Sequence, residues 1–236
     1  MVCSLTRNEL FDYVRIQMKH FFPDKHSFDG KDVKIAFYTA LDRLENCLKT
    51  ISIHGYHDAN GNTAFSHLHG DQYATFLYFF GNSLWLQSQN TPVCDKLMQL
   101  NRILHSLFIS YKCQLPEYFF LDHPIGTVLG NATYNNFLVV LQNVTVNTPS
   151  NVADHPLKSE DGRSLPVLGK GLFLGAGSMV LGSQTIGDRV SLGAGARIHE
   201  QAIPDDSVVV PDIHGIRICP RRKAVCKAQE CFNVPI

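Results

Sequence analysis

The sequence predicts an α-helical first half followed by a second half that forms a parallel β-solenoid of hexapeptide repeats. Apolar residues recur at helical spacing up to about residue 108, and the spacing changes to six after Leu115-Pro116. Nine of the 17 glycines lie between Gly162 and Gly195. Because a period of six fits neither an α-helix nor an alternating strand, it is typical of a coil in which each six-residue unit forms one side.

Composition excludes several classes of protein. The 236 residues include 21 Lys+Arg and 21 Asp+Glu, and a net charge of zero creates no field that attracts nucleic acid or an anionic membrane. The N-terminal residues lack the apolar stretch of a signal peptide, and no apolar run of the first half approaches the ~20 residues that cross a bilayer. Seven cysteines without a CxxC pair disfavour disulfides and a metal site. We therefore expect a cytoplasmic protein that uses no metal.

Four helical segments are expected in the first half. The third, Phe65–Gln89, is apolar nearly all round and is therefore expected to be buried on most sides. Asp71 suits its first turn because the helix dipole favours an acidic residue there. The second segment has an apolar face at helical spacing that comprises Ile35, Tyr38, Leu41, Leu44 and Leu48. The expected breaks are Pro23, Gly55–Gly61 and Thr91-Pro92.

An aliphatic residue recurs every six positions in the second half: Leu168, Leu174, Val180, Ile186, Leu192 and Ile198. The next residue is glycine in four of the six repeats. We attribute this to a tight corner in which glycine tolerates positive φ. The same frame extends upstream through Tyr134, Val140 and Val146, with Leu129-Gly130 one residue out of step.

The frame is interrupted by a polar segment, residues 147–166, which we expect to be a loop ejected from the coils. Long loops on a rigid scaffold often carry function. The predicted organisation is a helical domain at 1–112, a solenoid domain at 113–210 and a C-terminal tail at 211–236.

The second half resembles the serine O-acetyltransferases of the hexapeptide-repeat acyltransferase superfamily. Leu121–Gly130 resembles the segment around the family's catalytic Asp-His, Leu141–Val146 matches its YQGVTLGG coil, and Val167–Gly177 matches KIGDGVLIGAG. Ser191–Val208 matches the last coil and its exit. The resemblance implies a left-handed parallel β-helix that transfers acetyl from acetyl-CoA to L-serine, a step of cysteine biosynthesis. It also implies a homotrimer or a dimer of trimers, with an exposed Tyr73–Trp85 face as a further subunit contact.

The resemblance makes His123 the general base, because its position matches the family's Asp-His; the alternative is a polar corner residue. A histidine suits this task because its pKa, about 6.5 when unperturbed, lies near neutrality. The family orients its base with a carboxylate about fifteen residues upstream, where this chain has Phe108. Glu117, Asp154 and Asp122 are possible substitutes. Asp122 is disfavoured because adjacent strand residues point to opposite faces.

The ejected loop departs from the family pattern, since Leu165 replaces the family's second histidine. His155, with Asp154 beside it, either supplies that histidine by a longer route or lies on the surface. Arg163 either holds an acceptor carboxylate or is solvated. This departure keeps a sugar or another small molecule open as the acceptor.

The resemblance places acetyl-CoA along small corner residues, with fixed charges near its phosphates. The corners comprise Gly175, Ala176, Gly177, Ala194 and Gly195, and the charges comprise Arg217, Arg221, Arg222 and Lys223. Serine acetyltransferases that dock with O-acetylserine sulfhydrylase use a tail ending in isoleucine, so Ile236 is a candidate contact. The remaining alternative is an inactive β-helix that serves as an assembly subunit.

Overall fold

The computed structural model describes residues 1–146 and 165–236. Residues 147–164 lie outside the described residues, and they include most of the expected ejected loop with Asp154, His155 and Arg163. The chain divides into two compact units. The first comprises Met1–Lys49 and His54–Lys112, and the second comprises Thr50–Ile53 and Cys113–Ile236. No helix in the described ranges has the length and apolar character needed to cross a membrane.

Helices dominate the first unit. They are α1 (Arg7–Phe21), α2 (Lys31–Leu48), α3 (Gly70–Ser88) and α4 (Thr91–His105), accompanied by the short strands β1 (Val2–Cys3), β2 (Ala64–Phe65) and β3 (Phe108–Ile109). A capping box starts α1: the Thr6 hydroxyl accepts from the Glu9 N–H, and the Glu9 carboxylate accepts from the Thr6 N–H. β1 and β2 pair in parallel.

The central helix of the first unit is α3, which packs against both α2 and α4. Every residue from Asp71 to Leu84 is buried, as expected for a helix that is apolar nearly all round. The expectation of an exposed Tyr73–Trp85 face is therefore wrong. Its aromatic side chains fill the core of the unit, and Tyr73 is only 2% exposed.

The buried face of α2 differs from the expected one. Ile35 and Tyr38 are exposed, whereas Ala36, Phe37 and Ala40 are buried. The Phe37 ring makes edge contacts with aromatic rings of α3. Leu41, Leu44 and Leu48 are buried as expected, so the buried face is shifted only in the first half of the helix.

His105, which is half-buried, ends α4. Its ring lies 5.9 Å from that of Tyr73, and its Nδ1 is 3.7 Å from where a Cβ on Gly70 would stand. The buried Nε2 has no hydrogen-bond partner among the described residues. Burial lowers the pKa of His105 to about 4, because the charged imidazolium is disfavoured away from water.

We expect acid to destabilise the first unit through His105. The unfolded histidine has a pKa of about 6.5, so the stabilising contribution of its neutral form is complete above that pH. It is lost as the pH falls toward 4, at a cost of about 2–3 kcal/mol. Urea unfolding between pH 7.5 and 4.5 should show a weaker acid dependence for His105→Gln than for the wild type. Equal dependence in both proteins would contradict this account.

In the second unit the chain runs in turn through several sheets of parallel strands. Its strands are β4 (Phe119–Leu121), β5 (Val128–Leu129), β6 (Thr133–Tyr134), β7 (Leu138–Val140), β8 (Thr145–Val146), β9 (Val167–Leu168), β10 (Phe173–Leu174), β11 (Met179–Leu181), β12 (Thr185–Ile186), β13 (Ser191–Leu192), β14 (Arg197–His199), β15 (Ser207–Asp212) and β16 (Gly215–Pro220). From β4 to β14 every third strand joins the same sheet, giving β4-β7-β10-β13, then β5-β8-β11-β14, then β6-β9-β12. β15 extends the first sheet beside β13. We call one passage through the sheets a coil.

The sixfold repeat of the sequence corresponds to these coils. Leu174 lies opposite Leu192, and Val180 lies opposite Ile198, each pair in neighbouring parallel strands. Tyr134 continues a stack upstream by pairing with Leu168. The six aliphatic residues of the repeat are at most 1% exposed: Leu168, Leu174, Val180, Ile186, Leu192 and Ile198. A helical N-terminal part followed by parallel sheets is thereby confirmed.

Glycine is required after the aliphatic residues for a different reason from the expected one. Gly175 is not among the residues with positive φ. A Cβ on Gly175 would stand 2.5 Å from the carbonyl oxygen of Leu192 in the next coil. Positive φ occurs two residues later, at Gly177 (φ +68). Arg189 takes the same conformation at the corresponding corner. The close stacking of coils, rather than the turn, therefore requires the first glycine.

Residues after 210, expected as a tail, have regular structure. β16 pairs antiparallel with β15, and a 3-10 helix follows at Lys227–Cys231. Asp206 links coil and tail: its carboxylate accepts from Arg189 (2.9 and 2.8 Å) and from Arg221 (2.6 Å). These two guanidinium groups hold the pKa of the Asp206 carboxyl well below its usual range.

Candidate active site

The expected general base lies in the turn that follows β4. The Asp122 N–H donates to the Val140 carbonyl (2.9 Å), and the Ile125 N–H donates back to the His123 carbonyl (2.7 Å). His123 itself has φ +49, a conformation uncommon for residues other than glycine. This bend directs the chain out of the sheet, and the His123 side chain is 77% exposed.

The turn is supported from the next coil. The Asn143 N–H donates to the Ile125 carbonyl (2.9 Å), and the Asn143 side chain lies where a Cβ on Gly126 would stand. The buried Thr127 hydroxyl donates to the Leu141 carbonyl (2.8 Å). The backbone of the turn is therefore held by hydrogen bonds to the next coil, although the His123 side chain is exposed.

Asp122 lies beside His123. Its Oδ1 is 3.7 Å from His123 Nε2. The strand rule that disfavoured Asp122 does not apply, because β4 ends at Leu121 and His123 has left the extended conformation. The separation exceeds hydrogen-bond distance but lies within the range of an ion pair.

Of the other suggested carboxylates, Glu117 does not join this pair, and Asp154 lies outside the described residues. Glu117 is exposed and precedes β4, whereas His123 follows it. The strand spaces its residues about 3.3 Å apart, so the two side chains stand at opposite ends of it. Leu165, which replaces the family's second histidine, is 4% exposed and contributes to the core.

The expected donor corners lie on one edge of the stacked coils. The Gly195 N–H donates to the Ala176 carbonyl (2.8 Å), so the corner at 193–195 stacks on the corner at 175–177. Ala176 is half-buried, and Ala194 is exposed. Small side chains leave the backbone of this edge open to a ligand that lies along it.

A groove of about 560 Å³ opens next to this edge, between β13, β15, β16 and the residues that follow. It adjoins the corner because a Cβ on Gly193 would stand 3.4 Å from Val210, which lines the groove. Its apolar wall includes Val208, Val210, Pro220 and Val225, and its cations are Arg217, Arg221, Arg222, Lys223 and Lys227. Val225 and Lys227 were not expected here.

The cations of the groove differ in their availability. Arg221 is held by Asp206, and Lys223 lies 3.3 Å from Glu230. Arg217 is 66% exposed and has only a distant carboxylate, Asp212, at 4.0 Å. Arg222 is exposed and has no ion pair with any residue that the structure describes. Arg217 and Arg222 are therefore the two cations most available to an anionic ligand.

Comparison with known proteins gives a consistent result at the level of sequence. The chain is 31% identical over 128 residues to the serine acetyltransferase of Synechococcus elongatus, covering 53% of this chain and 49% of that protein. It is 29% identical over 115 residues to that of Bacillus subtilis, covering 48% and 49%. The curated relatives are serine acetyltransferases. The resemblance found in the motifs is thereby confirmed. The chain spans about half the length of these relatives. No protein-family model matches it.

Solved serine acetyltransferases share the fold. The enzyme from Vibrio cholerae superposes with a TM-score of 0.63 at 21% identity, over 84% of this chain and 73% of that one. Isoform 3 from Entamoeba histolytica, solved in complex with cysteine, gives 0.58 at 19%, over 85% and 69%. The soybean serine acetyltransferase, solved in complex with serine, gives 0.54 at 21%, over 80% and 70%.

Proposed function

We propose that the chain is an acetyl-CoA-dependent O-acetyltransferase with L-serine as its leading acceptor. The observation that carries the proposal is the exposed Asp122–His123 turn, in a chain whose curated relatives are serine acetyltransferases. The soybean structure in complex with serine supports the choice of acceptor. The coils are proposed to form a left-handed parallel β-helix, on the repeated sheet order and the likeness to the Vibrio cholerae enzyme.

The proposed transfer takes place in one step without an acyl-enzyme. The His123 imidazole accepts the hydroxyl proton while the acceptor oxygen attacks the thioester carbonyl. A carbon–oxygen ester bond forms and the carbon–sulfur bond breaks. His123 then returns the proton to the sulfur of coenzyme A. Asp122, 3.7 Å from His123, stabilises the imidazolium between these two events.

The donor is proposed to lie along the corners at 175–177 and 193–195, with its phosphates beside Arg217 and Arg222. Arginine suits this task because its guanidinium keeps its charge and binds phosphate in a fixed fork. The apolar wall of the groove offers a surface for the adenine ring.

Replacing Arg217 and Arg222 together with alanine is expected to raise the KM for acetyl-CoA about tenfold, with a smaller change in kcat. The loss should shrink at high salt, which screens exposed charges. Initial rates at varied acetyl-CoA measure it. Arg197→Ala provides the control, since Arg197 is exposed on β14 and does not line the groove. An unchanged KM in the double variant would show that the groove does not bind acetyl-CoA.

The ejected loop differs from the family pattern, because Leu165 replaces its second histidine. This difference favours a second candidate acceptor, a sugar or another small molecule. Asp154, His155 and Arg163 are proposed contributors to acceptor binding from that loop. Release of the coenzyme A thiol, measured with serine, homoserine, amino sugars and nucleotide sugars, separates the candidates. Serine should give the highest kcat/KM. A preference for a sugar would support the alternative, and failure to bind coenzyme A would favour an assembly subunit.

The assembly is proposed to be a homotrimer or a dimer of trimers in the cytoplasm, where the seven free cysteines stay reduced. Docking of O-acetylserine sulfhydrylase through Ile236 is also proposed. The Ile236 side chain lies against Gly171, and its N–H donates to Gln229 Oε1 (2.9 Å). Docking therefore requires this residue to leave the coils.

A further inference from the structure

Four corners of neighbouring coils share one uncommon backbone conformation. The angle φ is positive at Phe137 (+65), Gly171 (+72), Arg189 (+55) and Asp206 (+55), which precede β7, β10, β13 and β15. Backbone hydrogen bonds stack these corners, as between the Gly171 N–H and the Asn136 carbonyl (2.9 Å). Because three of the four corners take this conformation without glycine, the backbone angle alone does not explain the glycine at position 171.

The missing side chain of Gly171 leaves room for Ile236. A Cβ on Gly171 would stand 2.5 Å from Ile236 Cγ2. Carbon atoms in contact lie about 3.5–4.0 Å apart, so an alanine here would displace the isoleucine side chain. The absence of a side chain at this corner therefore makes the contact with Ile236 possible.

A single side chain holds the backbone of the residues that lead to Ile236. Gln229 Nε2 donates to the Phe232 carbonyl and to the Val234 carbonyl, both at 2.9 Å. Gln229 Oε1 accepts from the Ile236 N–H, also at 2.9 Å. Both donor hydrogens and the acceptor oxygen of the amide are thus used on residues 232–236. Replacing Gln229 with alanine would remove all three hydrogen bonds at once.

The first two of these residues are also anchored independently of Gln229. Phe232 is 2% exposed, and its ring stands edge-on to Phe137 with centroids 5.2 Å apart. It forms an antiparallel bridge with Ile51. The Asn233 N–H donates to the Thr50 carbonyl (2.9 Å). Loss of the Gln229 side chain is therefore expected to leave Phe232 and Asn233 in place.

The last three residues, which we call the tip, lie at the surface. Pro235 is exposed, and Val234 and Ile236 are half-buried. A surface segment with few buried contacts opens locally at a lower free energy than the whole unit. The tip can therefore leave the coils without opening the core beneath it.

We propose that the tip is a latch, in which Gln229 and Gly171 hold Ile236 on the chain's own coils and withhold it from a partner. The inference rests on the proposed docking of O-acetylserine sulfhydrylase through Ile236 and adds its regulation. The partner binds only the released tip, so its apparent dissociation constant is the intrinsic one divided by the released fraction. Weakening the latch therefore strengthens docking without any change in the tip itself.

Hydrogen exchange in Gly171→Ala tests the latch without a partner. The Ile236 amide should exchange about tenfold faster, because the added Cβ displaces the isoleucine while Gln229 is unchanged. Exchange of the Asn233 amide should stay at its wild-type rate. The matched control is Gly177→Ala, since Gly177 also has positive φ (+68) but open space around it. Unchanged exchange at Ile236 in Gly171→Ala, or equal acceleration in Gly177→Ala, would overturn the proposal.

Calorimetric titration of O-acetylserine sulfhydrylase from the same organism tests the effect on docking. Gln229→Ala should bind about tenfold more tightly than the wild type, because the loss of three hydrogen bonds raises the released fraction. Gln201→Ala is the control, since Gln201 is an exposed glutamine of the coils outside residues 227–236. It should bind as the wild type does.

A synthetic peptide of residues 230–236 separates failure of the latch from failure of the proposed docking. If the peptide binds the sulfhydrylase while Gln229→Ala binds no more tightly than the wild type, the latch is refuted. If the peptide does not bind, the proposed docking is refuted, and the exchange of the Ile236 amide alone decides whether the latch exists.

Discussion

Replacing His123 with alanine is expected to lower kcat/KM for acetyl transfer by about 10³-fold. A positioned general base contributes roughly 10²–10⁴-fold, and an alcohol attacks a thioester poorly unless its proton is removed. The side chain is 77% exposed, so its loss leaves no cavity in the core. Binding of coenzyme A and the free energy of unfolding should therefore stay near their wild-type values.

The measurement combines thiol release with calorimetric binding of coenzyme A. His199→Ala is the matched control, because His199 is an exposed histidine on β14 outside the turn. It should retain wild-type rates. Full acetyl transfer by His123→Ala would exclude His123 as the base, whereas an equal loss in both variants would point to a nonspecific effect.

Replacing Gly175 with alanine is expected to destabilise the second unit by about 3 kcal/mol. The added Cβ would lie 2.5 Å from the Leu192 carbonyl oxygen and 3.0 Å from the Ala194 nitrogen. Both are backbone atoms of the neighbouring coil, so relief requires the coils to separate. Such a separation would break the parallel ladder that pairs β10 with β13.

Gly177→Ala is the control for this substitution. Gly177 has φ +68 but open space around it, so alanine adds conformational strain of about 1 kcal/mol without a clash. Urea unfolding followed by circular dichroism should rank Gly175→Ala well below Gly177→Ala in stability. The reverse order would mean that turn conformation, rather than coil stacking, selects the glycines.

The coils could be predicted from the sequence because every aliphatic residue of the repeat has the same environment, the buried interior of the stack. A residue repeated every six positions is buried in the stack whatever its neighbours are, as Leu174 and Leu192 illustrate. The role of Gly175 could not be predicted, since it depends on the distance between coils and not on the local turn. The face predicted for α2 was wrong at Ile35 and Tyr38, which are exposed, and right at its three leucines. Hydrophobicity alone does not reveal that Ala36 and Ala40 are buried instead.

The candidate site was predictable where it follows a local motif. His123 was found because the residues around it match a family segment, whereas the nearness of Asp122 depends on positive φ at a single residue. The groove beside Arg217 and Arg222 is built from β13, β15, β16 and residues beyond the repeats. No period relates these residues in sequence.

The proposed activity of this chain is acetylation of the serine hydroxyl. Isotopically labelled acetyl-CoA and L-serine incubated with the wild-type protein test it, with products identified by mass spectrometry and free coenzyme A quantified in parallel. The account predicts labelled O-acetylserine in an amount equal to the coenzyme A released. Release of coenzyme A without O-acetylserine, or no turnover by a protein that binds coenzyme A, would contradict it.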